Sequence, residues 1–445
     1  MQHCFSHGLA GGLAVYHRVI RNFADSKSLP FFFFLMQGIL SQIGEPKSWE
    51  DFLAARLLKG RFTWLSFQEA DSFVAEERFV PLSRKIIQEG AGIPAKMRIN
   101  KMGSSRKRIV YCYPPEETKV LKLIAFMLYA YDNRLPGNCY SFRRTLSAHD
   151  AVRHLVRSLK GQNAWAYKLD IHDYFNSISI PILLPVLRDF LSDDPSLFRF
   201  FQRMLEDDRA WDKGTLIHEN RGILAGTPTA PFLADVYLSE VDRYFADRNV
   251  LYARYSDDII LFAPDEATIL QHKATLLGFL EKYRLTVNPD KERIYRPDEA
   301  FEFLGFKCLH GRIDISEATK RKMKGKIRRK ARALLRAKSK YGLDTETVMR
   351  RMIRHFNAKF FDDDASDKLT WSRWFFPMIN QVDGLRDIDR YLQDNIRFLS
   401  SGKHAKTNYR IRYDRLKDLG YKSLVHEYYR FREVTHPLET IQRKK

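Results

Sequence analysis

Three aspartates stand in strand-forming surroundings where an apolar run seldom keeps an acid. YARYSDDIILFA sets Asp257 and Asp258 between two strand-like segments and reads as a β-hairpin with both acids at its turn. AWAYKLDI carries Asp170 near the end of another strand-like run. Adjacent acids at a surface turn are common and mean little alone. Here Tyr252, Tyr255, Ile259, Ile260 and Leu261 frame them tightly, and carboxylates held that close to a core need a cation or other partners. Carboxylates from neighbouring strands can hold two divalent ions about 4 Å apart, the clamp used in phosphoryl transfer. Oxygen ligands favour Mg2+, with Mn2+ as the alternative. No His-rich or Cys-rich cluster competes for this role. Lys291 follows the turn NPD, where an ammonium suits a triphosphate and a solvated lysine is the even alternative. GILAGTPTAP, ahead of a helix-like run, has small residues that let a backbone pass close to something large. A nucleotide or a packed neighbouring strand would both suit.

The elements that must position these groups follow from periodicity. KMRINKMGSSRKRIVYCYPP is two alternating runs around a basic tip, a hairpin. EETKVLKLIAFMLYAYDNRL has the apolar stripe of a helix. SWEDFLAARLLKGRF and SFQEADSFVAEERFV have helical spacing and helix-start residues. From about residue 315 the chain turns helical and basic, and ATKRKMKGKIRRKARALLRAKSK contains no acid. Like charges at i,i+4 destabilise a free helix and are better tolerated beside a phosphate backbone. RIRYDRLKDLGYKSLVHEYYRFR interleaves aromatic and basic residues, which fits stacking with backbone contacts or an ordinary amphipathic cap.

The whole chain agrees with an anionic partner. Lys and Arg number 75 against 54 acids in 445 residues, a formal charge of +21. Nucleic acid relieves such a surplus, and an anionic membrane is the second candidate. The four cysteines have no paired spacing, which points to reduced thiols and a cytoplasmic location. The apolar part of PFFFFLMQGILSQIG is far shorter than the roughly 20 residues of a membrane span. It reads as a buried helix, with the Phe run as a contact for a homo-oligomer, and no membrane partner is expected.

Taken together, the motifs resemble the bacterial reverse transcriptases. LDIHDYFNSI is similar to the family's first catalytic motif and YSDD to its tyrosine, variable residue and paired aspartates. The resemblance implies an α/β plus all-α chain, a right-hand polymerase. Its antiparallel palm sheet bears the catalytic Asp170, Asp257 and Asp258, and its thumb is helical. It implies two Mg2+ ions held by Asp170, Asp257, Asp258 and the Ile171 carbonyl. It implies nucleotide contacts from Arg108, Phe175, Gly226 and Lys291, with Phe175 blocking a ribose 2′-OH. Nucleic-acid contacts are expected from Arg143 and from Gly305 in the primer-grip hairpin FEFLGFK. Lys324, Arg328 and Arg332 are expected to add phosphate contacts from the basic helix. The boundaries implied are 1–95 for a helical N-terminal region, 96–314 for fingers and palm, 315–384 for the thumb and 385–445 for an aromatic-basic extension.

Within the family the tail LKDLGYKSLVHEYYRF looks like the phage-defence group, and no endonuclease-like cluster follows the thumb. That group implies dNTPs, a structured non-coding RNA template and a DNA product. The chain departs from the family in carrying Ala225 where Gln is usual before the central glycine, and Asp235 where Asn is usual. The first departure implies altered nucleotide choice, processivity or metal preference. An RNA-directed RNA polymerase and a non-catalytic RNA-binding scaffold are the competing readings. The Phe175 ring argues against the first and retention of the acids against the second.

Overall fold

The structure is a computed structural model that describes residues 38–58, 64–100, 107–219, 222–361 and 370–435. Its strands run, in chain order, β1 Ala95–Asn100, β2 Lys107–Cys112, β3 Trp165–Asp170, β4 Arg209–Asp212, β5 Thr215–His218, β6 Tyr252–Tyr255, β7 Asp258–Ala263, β8 Arg293–Tyr295, β9 Phe301–Phe303, β10 Phe306–Leu309 and β11 Arg312–Ile315. The helices that matter below are α1 Pro46–Leu58, α2 Phe79–Glu89, α3 Pro115–Met127, α4 Tyr174–Ser177, α5 Ala230–Tyr237, α6 Ser239–Asp247, α7 Glu317–Tyr341, α8 Thr345–Phe361, α9 Asp383–Ser401 and α10 Leu424–Thr435.

The chain divides into two units. Of the described residues, the first holds those within 38–151 and 164–294, and the second those within 152–163, 295–361 and 370–435. The first unit carries a sheet ordered β6-β7-β3-β8, in the segment expected as palm, and one ordered β2-β1-β4-β5, in the segment expected as fingers. Strands β6, β7 and β3 pair antiparallel, as the hairpin motif predicted. The alternating run at 95–112 is an antiparallel hairpin, with its basic tip outside the described residues. Tyr252, Ile259, Ile260 and Leu261 are all buried, as their apolar bulk favours, and the aromatic Tyr252 and β-branched Ile259 and Ile260 suit a strand.

One apolar cluster runs from Ile39 to Leu285. It takes in Trp49 of α1, Phe73, Phe79 of α2 and the α3 stripe Val120, Leu121, Leu123 and Ile124. Trp49 meets Phe73 and Phe79 at ring-centroid distances of 5.2 and 5.5 Å. The described helices ahead of residue 95 therefore complete the core of the fingers and palm instead of forming a separate region. The Phe run Phe31–Phe34 lies outside the described residues, and only Ile39–Gln42 of the expected buried helix is described. Among the described residues, no helix is long and apolar enough to cross a membrane.

The boundary between the two units falls at 294/295, ahead of the 314/315 expected between palm and thumb. The reason is packing: the sheet β11-β10-β9 belongs with the helices that follow it. Phe306 meets Phe375 at 5.3 Å, the Ser316 N–H donates to the Gly305 carbonyl, and Asp314 accepts from the Gly384 N–H. The extension from 385 is likewise no separate domain. Helix α9 packs on α7 and α8, and its buried Asp389 accepts from the Leu424 and Val425 N–H groups at the start of α10.

Helix α7 shows why the acid-free run folds. Ser316 caps it by accepting from the Thr319 N–H, Gly342 closes it at φ 62°, and Met323, Ile327, Ala331 and Leu334 form its buried stripe. The first unit is mixed α/β, and the second sets the small sheet β11-β10-β9 among helices.

Candidate active site

Strand register does most of the work at the site. Asp170, the last residue of β3, pairs directly with Asp258, the first of β7, and Tyr255 pairs with Asp258 across the hairpin. This leaves Ser256 and Asp257 as the two turn residues, with Ser256 at φ 59°. The Ile171 N–H donates to the Asp257 carbonyl at 2.9 Å, and Ile171 bridges to Val287. Asp257 thus stands at the turn, and Asp258 opens the strand beside it.

Like charges directly opposite one another in a ladder repel. The chain answers with two lysines. Lys291 Nζ donates to Asp170 Oδ2 at 2.5 Å, and Lys168 lies 3.4 Å from Asp258 Oδ1. Asn288 adds an N–H to the Asp170 carbonyl at 2.8 Å. Burial, then the charges of Asp170 and Asp258, push the Asp257 carboxyl up to about 6. Burial works against the Lys291 charge, but Asp170, Asp258 and Asp257 together hold its pKa above the ordinary value.

No group of three or more His, Cys, Asp or Glu among the described residues converges as a ready metal cage. The donor set nevertheless suits a hard divalent cation. It consists of carboxylate oxygens whose mutual repulsion is relieved by ammonium groups, one of them seated on Asp170.

The other expected residues divide. Phe175 lies in α4, half-buried, with Tyr174 at 5.8 Å and Phe142 edge-on at 6.3 Å. Phe142 also meets Tyr255 at 6.4 Å, so an aromatic row joins α4 to the hairpin. Gly222 supports α4 from below. At φ 43°, a Cβ there would lie 2.1 Å from the Phe175 carbonyl oxygen. Arg108 is exposed on β2, opposite Ile99.

Gly226 has φ 101°, and a Cβ there would meet Val110 at 3.1 Å and the Tyr111 carbonyl at 3.3 Å. The Tyr111 N–H donates to the buried Ala225 carbonyl at 2.8 Å. The small residues therefore admit a neighbouring strand, one of the two reasons the sequence offers for glycine at 226. A cavity of about 480 Å3 is lined by Gly226, Tyr111, Lys122 and Tyr129, among others, and none of the three aspartates lines it.

Three of the residues expected at nucleic acid have partners within the chain. The side chain of Arg143 is only 6% exposed, and its guanidinium donates to the carbonyls of Asp132, Pro136 and Cys139. Through these bonds it braces a loop. Gly305 is required by the turn between β9 and β10, where it takes φ 90° and its carbonyl accepts from Ser316 and Thr319. Lys324 is tied to Asp387 at 2.7 Å.

Arg328 and Arg332 stand exposed on α7, as do Arg321, Lys322, Arg329 and Arg336. Nearby, burial and then Lys359, Arg329 and Lys322 lower the pKa of Lys326, a crowding that an anion would relieve. Replacing Arg328 and Arg332 by Gln should flatten the slope of log K against log salt for RNA binding, by up to about 0.7–0.9 per charge. Lys324→Gln should leave it unchanged, because Asp387 already neutralises that ammonium. Equal slopes for the parent and the double variant would reduce the α7 face to a solvated surface.

Sequence reasoning missed Lys168, Phe142, Arg254 and Asp242, and it noted Asp235 without its buried partners Arg254 and Asp242. Lys168 had a signal, since two residues before Asp170 on a strand is the same face. Asp235 and Asp242, seven apart in a helical run, also share a face.

Residues 99–308, just under half of the chain, match the family model described as Reverse transcriptase (RNA-dependent DNA polymerase). Protein YkfC of Escherichia coli (strain K12) is 24% identical over 219 residues, covering 40% of this chain and 56% of that protein. A retrovirus-related Pol polyprotein from the type-1 retrotransposable element R2 of Popillia japonica is 23% identical over 153 residues, covering 31% of this chain and 25% of that one. The chain thus spans little more than half of the first of these relatives and less of the second. Among solved structures, apo telomerase from Candida tropicalis, truncated from its C-terminal domain, aligns with a TM-score of 0.42 and 13% identity. That alignment covers 50% of this chain and 55% of the telomerase chain.

Proposed function

With residues 99–308 forming a reverse transcriptase domain, we propose that the chain is an RNA-directed DNA polymerase with Asp170, Asp257 and Asp258 as its catalytic carboxylates. The observation that carries this reading is the register that sets Asp170 opposite Asp258, one residue from Asp257, inside a domain of that description. Two divalent ions, Mg2+ before Mn2+, would be held by Asp170, Asp257, Asp258 and the Ile171 carbonyl. They would supply Lewis-acid activation and charge neutralisation for nucleotidyl transfer.

The chain's own residues orient the substrates. Lys291 and the exposed Arg108 offer cations to a dNTP triphosphate. The Phe175 ring, braced by Tyr174 and Phe142, occupies space beside the sugar. The exposed arginines of α7 take the phosphates of a primer–template. The test is primer extension by the purified chain on a primed RNA with Mg2+, giving dNTPs and rNTPs separately. DNA synthesis is expected, and its absence with every primed RNA and with either ion overturns the reading. Preferential use of rNTPs would favour the RNA polymerase instead.

The finer reading is a bacterial cytoplasmic enzyme that copies a structured non-coding RNA into DNA in antiviral defence. It is supported by the aromatic-basic tail, where α10 exposes Tyr429 beside Arg430 and Arg432. Phage plating should fall on cells carrying the native locus and recover with Asp257→Asn. Equal plating on native, variant and empty-vector cells across a broad phage panel removes the defensive role and leaves the polymerase standing.

A further inference from the structure

Strand β6 carries a residue no part of the chemistry above uses. Arg254 and Asp242 are wholly buried, and Asp235 is 1% exposed. A guanidinium taken out of water must have its donors met. Nε and Nη2 of Arg254 fork onto the Asp242 carboxylate at 2.8 and 2.5 Å. Nη1 reaches Asp235 Oδ1 at 3.3 Å, and Nη2 the Asp235 carbonyl at 3.1 Å. The same Nη1 lies 3.5 Å from the Ser256 carbonyl. Both acids are held from behind, Asp242 by the Tyr252 hydroxyl at 2.9 Å and Asp235 by the Ser141 hydroxyl at 2.6 Å. The Arg254 backbone is pinned as well, donating to the Asn138 carbonyl at 3.0 Å and accepting from the Tyr140 N–H at 2.9 Å.

Three segments therefore meet on one cation: the α5–α6 helices, the loop at 138–141 and the hairpin. They meet immediately behind Ser256, whose left-handed backbone precedes Asp257. Resting on the reading of this hairpin as a polymerase turn, we propose that Arg254 is its positioning residue. Clamped by Asp242 and Asp235 and reaching the Ser256 carbonyl, it sets where Asp257 and Asp258 stand. Lysine cannot replace it, because one ammonium lacks the planar fork that serves two acids and a carbonyl together.

The clamp is charge-sensitive, since one guanidinium faces two carboxylates. The other titratable groups around it are Cys139, Tyr174, Tyr252 and Tyr255, all kept neutral by burial. The excess negative charge thus falls on Asp235, where burial outweighs Arg254 and Ser141 and raises the carboxyl to about 7. Ionised, Asp235 would compete with the Ser256 carbonyl for Nη1, the donor that lies 3.3 and 3.5 Å from them.

The test compares the parent, Arg254→Lys and Asp235→Asn in primer extension, with thermal melts alongside. Arg254→Lys should lower kcat by about 100-fold, the usual cost of misplacing a reacting group by about 1 Å, with KM for dNTP within about threefold. A folded Arg254→Lys with parental kcat overturns the proposal. Asp235→Asn keeps the shape and removes the excess charge, so it reads the clamp even if Arg254→Lys does not fold. The ratio of its kcat to the parent's should rise at least threefold from pH 6 to pH 8, a comparison that cancels the pH dependence of the chemistry itself. A ratio flat with pH, in a variant whose melting temperature gains on the parent's over the same range, means the trio only supports the core and overturns the positioning role. Absence of synthesis by the parent overturns the polymerase reading and this inference with it, whereas failure in the variants alone bears on this inference only.

Discussion

Asp170→Asn and Asp257→Asn should each lower DNA synthesis by about 1,000-fold or more, the scale set by losing several kcal/mol of transition-state stabilisation from a metal clamp. RNA binding should persist, because the exposed cations proposed to hold RNA lie on α7 and not at the hairpin. The melting behaviour separates lost chemistry from lost fold. The Asp257 carboxyl is raised to about 6 from its ordinary 3.8. The folded state therefore favours its protonated form, and metal-free stability falls as pH rises from about 4 to about 6, then stays level. Asp257→Asn removes that penalty, so at pH 8 without metal the variant should melt no lower than the parent. Adding Mg2+ should raise the parent's melting temperature and leave the variant's nearly unmoved. Ordinary dNTP incorporation by either variant would end the assignment.

Phe175→Val should raise the rNTP/dNTP ratio of kcat/KM by about 10-fold or more, within the 1–3 kcal/mol that an apolar wall can discriminate. The physical basis is volume, since the ring is fixed edge-on by Phe142 and flanked by Tyr174. Gly222 holds the α4 backbone so closely that no side chain fits between them. If the ring served packing alone, both substrates would lose equally and the ratio would not change. The ratio is therefore the measurement, and a constant value removes Phe175 as the sugar gate.

Much of the site was legible in local chemistry. The hairpin around SDD, the strand ending in Asp170 and the turn before Lys291 are each specified by a few adjacent residues, and all three take the expected form. The amphipathic stripe of α7 was equally local. What local chemistry did not carry is where a side chain's partners lie. Arg143 donates through its Nη atoms to carbonyls of its own loop. Lys324 meets Asp387, far along the chain. Gly226 lies against β2, where a Cβ would meet Val110 and the Tyr111 carbonyl.

By itself, then, the sequence determined the element types, the carboxylate pattern and the positive field, since these depend on residue type, spacing of two or 3.6, and net charge. Only tertiary structure decided that the helices before residue 95 complete the palm core and that 295–315 belongs with the thumb. It also decided that Arg254 is clamped behind the turn by Asp235 and Asp242. Burial and partner choice are set by residues distant in sequence, and a buried charge takes its meaning from what meets it.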